Sequence, residues 1–259
     1  MVEHGAQRLE DLSSPGEGPA VRQALDDQEP DHERGGLAKR LGELARSLQH
    51  EKSSDRILSI MAAAAVELIP GVDQGSISVV HARQRIGSRA PTSALAGHLD
   101  ALQNEAGQGP CLDAMYEHET VHVPDMAAET RWPRFAQRAA RAGVGSMLCF
   151  QLYVEGDNLG ALNLYSLRQH AFSAESRHVG LLVAAHAAVA FAEALKVEQL
   201  GEALATRDLI GQAKGILMER YKITGEQAFT ILERSSSETN EKLRSVAEQL
   251  VVTGEIPHR

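Results

Sequence analysis

Aromatic residues make up only 4% of this 259-residue chain, tryptophan occurs once, and there are two cysteines, Cys111 and Cys149. Two thiols cannot build a disulfide framework, and a chain of this length does not need one, so both read as buried free thiols. No glycine-rich loop ends in Gly-Lys-Ser or Gly-Lys-Thr, and no Gly-x-Ser-x-Gly elbow is present, which removes the usual phosphate cradle and hydrolase nucleophile. The reading is a protein that is not an enzyme, with no catalytic residue, cofactor or metal. His118 and His122 have the i, i+4 spacing of a helical metal pair. Thr120, Val121 and Val123 favour a strand instead, where that spacing leaves them ~13 Å apart.

An excess of positive charge is also lacking. The formal net charge is −9, which argues against indiscriminate binding to nucleic acid, since that depends on a positive surface releasing counterions from phosphate. It leaves room for a locally basic site. Residues 1–36 hold nine acidic and three basic residues, with many Gly, Pro and Ser, and read as a disordered acidic tail. Arg177, His178, Glu193 and Lys196 interrupt the most apolar segment, so no membrane span is expected. The N-terminus lacks the basic-then-apolar order of a signal peptide, and a cytoplasmic location follows as the expectation.

Proline is missing from Phe172 to Arg220, a stretch rich in strong helix formers. Ser173 is the expected N-cap, with helix signals persisting to Tyr221. Such a helix is ~70 Å long and cannot be buried by one core. Leu182, Val189, Leu200, Ala203 and Ile210 approximate a seven-residue repeat, interrupted by His186, Glu193, Lys196 and Arg207, so a homodimeric coiled coil is one reading. The other is a helix that packs its halves on two different domains, with Gly201 or Gly211 as a kink.

The rest of the chain supplies those domains. Leucines at 37, 41, 44 and 48 mark a short helix, and a second runs from about Ser53 to Ile69 with Ile57, Ile60, Met61, Ala64 and Leu68 as its core face. Ser76 to Val80 alternates as a strand, with Arg85 to Ala90 as its partner. Residues 93–104 return to helical spacing, Cys111 to Tyr116 fits a short helix, and Thr120 to Val123 a short strand. A helix over Arg131 to Gly143 precedes two strands, Ser146 to Val154 and Leu159 to Leu167, joined by a Gly-Asp-Asn turn. This order predicts an α+β fold with an antiparallel sheet flanked by helices. Past Tyr221, Thr224 caps a helix presenting Ala228, Phe229 and Leu232, and Thr239 or Asn240 caps another presenting Leu243, Val246, Ala247 and Leu250.

Gly107-Gln108-Gly109-Pro110-Cys111, Val121 to Asp125, Arg131-Trp132-Pro133 and Leu159 to Tyr165, in that order, make residues 50–195 resemble a GAF domain, a small-molecule sensory module. Ala205 to Met218, with its Ala-Lys-Gly-Ile-Leu-Met core, then Ala228-Phe229, then Leu243, Val246 and Ala247, resembles an ANTAR domain, a three-helix RNA-binding antitermination module. The domain division expected is a tail over 1–36, a GAF-like sensor over 37–195 and an ANTAR-like module over 196–259, the long helix being shared. The resemblance implies a signal-responsive regulator that stabilises antiterminator stem-loops in a nascent transcript. Its partners would be stem-loop RNA, a second copy of the chain, and an unidentified small-molecule ligand of the sensor.

Between Thr206 and Val252 there are seven basic and seven acidic residues, so RNA recognition would depend on where the basic ones point. Arg207 and Lys214, seven apart, share a helix face with Gly211 between them. The candidate RNA-binding residues are Arg207, Gly211, Gln212, Lys214, Gly215, Arg220, Lys242 and Arg244. Gly215 would admit a close approach, either by RNA or by a packed helix. One departure from the ANTAR pattern is Glu233, which stands after Leu232 where related sequences carry arginine; the arginine here is Arg234. Cys111, after its Gly-Gln-Gly-Pro loop, is the thiol to weigh for a redox role, because a helix N-terminus would stabilise a thiolate.

Overall fold

The computed structural model describes residues 29–49, 51–81, 85–116, 120–154 and 157–258, and falls into two compact units, 1–46 and 47–259. The first contains most of helix α1 (Glu29–Gln49). This helix begins eight residues before the leucine stripe, so the stretch expected to be a disordered tail is helical from Glu29. Pro30 suits a first turn, where its missing N–H would have no partner. Residues 1–28 lie outside the described residues.

In the second unit, α2 (Ser54–Leu68) is capped by the Ser53 side chain, and its first N–H donates to Glu198 Oε1 at 2.8 Å. Its buried residues are Ile57, Leu58, Met61, Ala62 and Ala65. The expected face was rotated: Ile60, Ala64 and Leu68 are only half-buried, because the alanines let the helix approach the sheet on their side. Strands β1 (Gln74–His81) and β2 (Arg85–Arg89) follow, then α3 (Ala94–Ala106), α4 (Pro110–Tyr116), β3 (Thr120–Val123), α5 (Pro133–Arg141), β4 (Ser146–Val154) and β5 (Asp157–Ser166). Gly107 ends α3 in the left-handed region at φ 63, a conformation that glycine adopts without steric cost. The strands form one antiparallel sheet in the order β2-β1-β5-β4-β3.

Cross-strand register sorts the sheet into two faces. Phe150, Leu162 and Ile77 form one row, and the adjacent row is Cys149, Asn163 and Ser76. The apolar face receives α2 and α6 (Ala174–Tyr221). The other face, with its serines, Asn163 and Tyr165, is covered by α3, α4 and α5.

Helix α6 is one continuous helix of 48 residues, without a break at Gly201 or Gly211. Ser173 and Ser176 form a reciprocal cap at its start, and Ser176 Oγ donates to the Pro70 carbonyl at 2.8 Å. Val179, Val183, Ala187, Phe191 and Ala194 are buried, whereas no residue from 195 to 212 is, and burial resumes at Ala213 and Leu217. An 18-residue window of α6 has mean hydropathy 1.6, so by length and composition it could cross a membrane, contrary to the expectation above; 44% of that window is buried in the fold.

The last turns of α6 join α7 (Gly225–Thr239) and α8 (Leu243–Thr253) around a small core of Ala213, Leu217, Ala228, Leu232, Val246, Ala247 and Leu250. Thr224 and Gln227 form the capping box of α7. Asn240 is the C-cap of α7, at φ 57, and α8 starts from Lys242 without a side-chain cap. The sequence places Asn at a position that suits either cap, and the left-handed turn wins here.

Glycine inside a helix costs about 1 kcal/mol relative to alanine, so Gly180 in α6 needs a packing reason. A Cβ there would run into the Phe150 ring, while one at Gly201 would meet nothing within 4 Å. Gly180→Ala is therefore expected to lower stability by up to about 2 kcal/mol, overpacking outweighing propensity. Gly201→Ala should raise it by up to about 1 kcal/mol. Urea unfolding of the two variants checks the opposite signs.

Candidate functional site

The polar face of the sheet builds a buried cluster around Asp100 of α3, which is 2% exposed. Its Oδ1 accepts hydrogen bonds from Ser76 Oγ (2.9 Å), Asn163 Nδ2 (3.2 Å) and Tyr165 OH (2.7 Å), and its Oδ2 accepts from Ser88 Oγ. Burial pushes the carboxyl above the ordinary carboxylate range, against the four donors that favour its charge. Asn163 Oδ1 and Gln103 Nε2 are buried and find no hydrogen-bond partner among the described residues. Such a set of oriented donors and acceptors could hold a small polar molecule or water.

Cys111 and Cys149 are buried in this region. Burial, then the neighbouring Asp100 carboxylate, pushes the Cys111 thiol up to about 12. The Cys111 backbone N–H is taken by Gln103 Oε1 at 2.8 Å. A thiolate at the start of α4 is thus disfavoured, and the redox role weighed for Cys111 loses its physical basis. Residues 118–122 spell His-Glu-Thr-Val-His, an order that binds zinc when set on a helix. Val121 and His122 instead lie in β3, and His118 and Glu119 lie outside the described residues. Among the described residues no group of three metal-ligating side chains occurs. His186 Nδ1 lies 2.7 Å from the Leu182 carbonyl.

The second candidate lies where α6 meets α7 and α8. A groove of about 750 Å³ follows α6 from Gln199 past Thr206, Arg207 and Gly211 to Lys214, with Phe229 of α7 and Arg244 of α8 as its other wall. Among the described residues, Arg207, Lys214 and Arg244 have no carboxylate partner. Lys214 Nζ lies over the Phe229 ring, 5.9 Å from its centroid. The acid on the groove is Glu202. Three cations against one carboxylate give the groove a local positive charge in an acidic chain.

Family models match this chain twice: the GAF domain over residues 51–192 and the ANTAR domain over residues 198–251. The chain belongs to the GAF domain family. It carries an ANTAR domain behind the sensor, and the pairing makes it a signal-responsive regulator. Among solved structures, it is similar to the GAF domain of an Acinetobacter phosphoenolpyruvate-protein phosphotransferase, at 20% identity and TM-score 0.49, over 62% of this chain and 95% of that one. The Stigmatella aurantiaca phytochrome photosensory core module matches at 10% identity and TM-score 0.52, over 78% of this chain and 44% of that one. Free methionine-R-sulfoxide reductase from Neisseria meningitidis, in complex with its substrate, matches at 16% identity and TM-score 0.45, over 64% and 91%. At 10% identity the phytochrome match is a likeness of fold. No curated protein matches the chain.

Within the ANTAR domain, the structure brings Arg207, Gly211, Lys214 and Arg244 to one groove. Gln212 and Gly215 are exposed and do not line it. Nothing lies within 4 Å of a Cβ built at Gly211 or Gly215, so close helix packing does not explain either glycine. Arg220 is committed elsewhere, its guanidinium donating to the Gly254 carbonyl at 2.6 Å. Lys222 pairs with Glu219, and Arg234 with Glu238 at 2.7 Å; the displaced arginine thus serves its own helix. Lys242 stands at the start of α8, off the groove. Phe229, read from sequence as a core residue, is half-buried and lines the groove. Its adjacency to Arg244 is a tertiary fact with no local signal.

The Asp100 cluster gives the GAF domain a pH signature. A carboxyl whose pKa is raised on folding contributes stability at low pH that is lost as pH rises through the folded value. Asp100→Asn, which cannot titrate, should lack this term. The stability difference between the wild-type chain and Asp100→Asn should therefore shift against the wild type as pH rises from 4 to 7 in urea titrations. A difference that stays constant would show that Asp100 ionises as freely folded as unfolded.

Proposed function

We propose that the protein is a cytoplasmic, homodimeric antitermination regulator, not an enzyme. Its GAF domain takes up a small-molecule signal and its ANTAR domain holds stem-loops of a nascent transcript, stabilising an antiterminator against a competing terminator. The observation that carries the reading is the groove in which Arg207, Lys214 and Arg244 converge without carboxylate partners, inside an ANTAR domain. Uncommitted cations on a concave surface favour a polyanion, and net charge of the whole chain does not oppose a local field screened within about 10 Å.

The dimer reading rests on α6. Val189, Val197, Leu200 and Leu204 are each more than half exposed, and at about 100° per residue they fall within roughly 80° of one another around the helix. A second copy is the occupant that a helix stripe of this length suits, as a coiled-coil seam. A dimer would offer one groove per stem-loop and gain avidity on RNAs that carry two.

The test is titration of the full-length chain with labelled RNAs bearing one stem-loop or two in tandem. Two loops should bind at least tenfold more tightly; equal affinity would sink the two-site mechanism, and no binding to either would sink RNA recognition itself. Arg207→Ala and Lys214→Ala, at helix positions that accept alanine, should weaken binding and flatten the salt dependence by up to about one unit of slope each. If Lys214→Ala instead unfolds the ANTAR domain, as circular dichroism would report, its role is structural.

A further inference from the structure

We infer that Phe229 is the platform for one unpaired loop base, so that the groove reads a splayed-out nucleotide rather than only a phosphate backbone. This rests on the RNA-binding reading above and assigns the contact that the cations alone cannot supply. Phosphate contacts with Arg or Lys position a nucleic acid but carry no sequence information. An unstacked base needs a flat apolar surface, and single-stranded loops are read by stacking on aromatic rings.

Phe229 is the aromatic residue on the groove, in a chain with only 4% aromatic residues. It is half-buried, lines the open space and lies outside the core of the ANTAR domain. That core is aliphatic: Ala213, Leu217, Ala228, Leu232, Val246, Ala247 and Leu250. A phenylalanine is therefore not required for filling alone. In the free protein the ring is covered by the Lys214 ammonium at 5.9 Å, a contact weak enough to exchange. A base entering the groove takes the ring face, and Lys214 swings to the nucleotide's phosphate beside Arg207 and Arg244.

The experiment selects binders to the full-length chain from a library of synthetic stem-loops with randomised loops, then replaces each loop nucleotide of a selected RNA with an abasic site. Wild type should lose roughly ten- to a hundredfold in affinity at one loop position, the size of a lost stacking contact. Phe229→Leu should lose a similar factor on the intact RNA and almost nothing further at that abasic position, and Phe229→Trp should bind at near wild-type affinity. The pairing of protein and RNA deletions separates stacking from a general loss of fold, which would weaken binding on every RNA alike. Phe229→Leu binding the intact RNA as tightly as wild type overturns the inference while leaving the RNA reading standing. A library that yields no binder overturns both. If Phe229→Leu shifts the chain between monomer and dimer without changing RNA affinity, the groove is a protein interface and the inference falls.

Discussion

The unbroken backbone hydrogen bonding of α6 is the constraint on which the rest of the structure depends. The helix contributes Val179 to Ala194 to the sensor and Ala213 and Leu217 to the ANTAR core. From Ala194 to Ala213 it rises about 28 Å and turns through about five turns plus 100°. The two cores are thereby fixed in distance and in phase. The span between them is largely exposed, and most helical stability in proteins comes from packing rather than from propensity. Its ends, however, are clamped in two packed cores, and Glu198 ties its upper part to the start of α2.

Placement of charge matters more here than its sum. Residues 206–252 are balanced in sign, yet six of their seven arginines and lysines divide into two classes, Lys242 lying off the groove at the start of α8. Arg220, Lys222 and Arg234 each satisfy a carbonyl or carboxylate of the protein. Arg207, Lys214 and Arg244 do not, and they share one groove. Exposed pairs such as Arg234 with Glu238 contribute little stability, so their main effect is to remove those cations from the field seen by a ligand. What remains is a small positive site on an acidic molecule, which suits a polyanion held at one place and not indiscriminate binding over the surface.

Much of this was legible in the sequence because it follows from short-range rules. Ser76 to Val79 alternates, and the register sends Ser76 and Ser78 to the polar face and Ile77 and Val79 to the apolar one. The proline-free run from Phe172 read as one helix with a Ser173 cap, and is one. The errors lie where local signals are degenerate. Asn240 suits either end of a helix, and the Ile and Leu stripe of α2 competes with an alanine face that packs more closely. The groove was only half visible. Arg207 and Lys214 share a helix and obey helical spacing, whereas Phe229 and Arg244 reach them through tertiary packing that no spacing encodes.

The sheet also joins the polar cluster of the GAF domain to the long helix. Cys149 and Phe150 are neighbours in β4 and point to opposite faces. Cys149 sits in the core beneath α3 and α4, next to Asn163, whose Oδ1 has no partner. Phe150 abuts Gly180 of α6 so closely that no side chain fits between them. One peptide unit therefore separates Cys149, on the polar face, from this close contact with the long helix. Any displacement of β4 toward α6 would press Phe150 against a helix with no slack at that point. The helix can respond by moving as a rod, since residues 195–212 are unburied and the bond from the Ser54 N–H to Glu198 would carry the start of α2 along with it. A ligand of the sensor changes the output only by binding two positions of that rod unequally, and a contact between a ring and a bare glycine backbone is the kind of packing that turns a shift of a few tenths of an ångström into a choice between discrete arrangements.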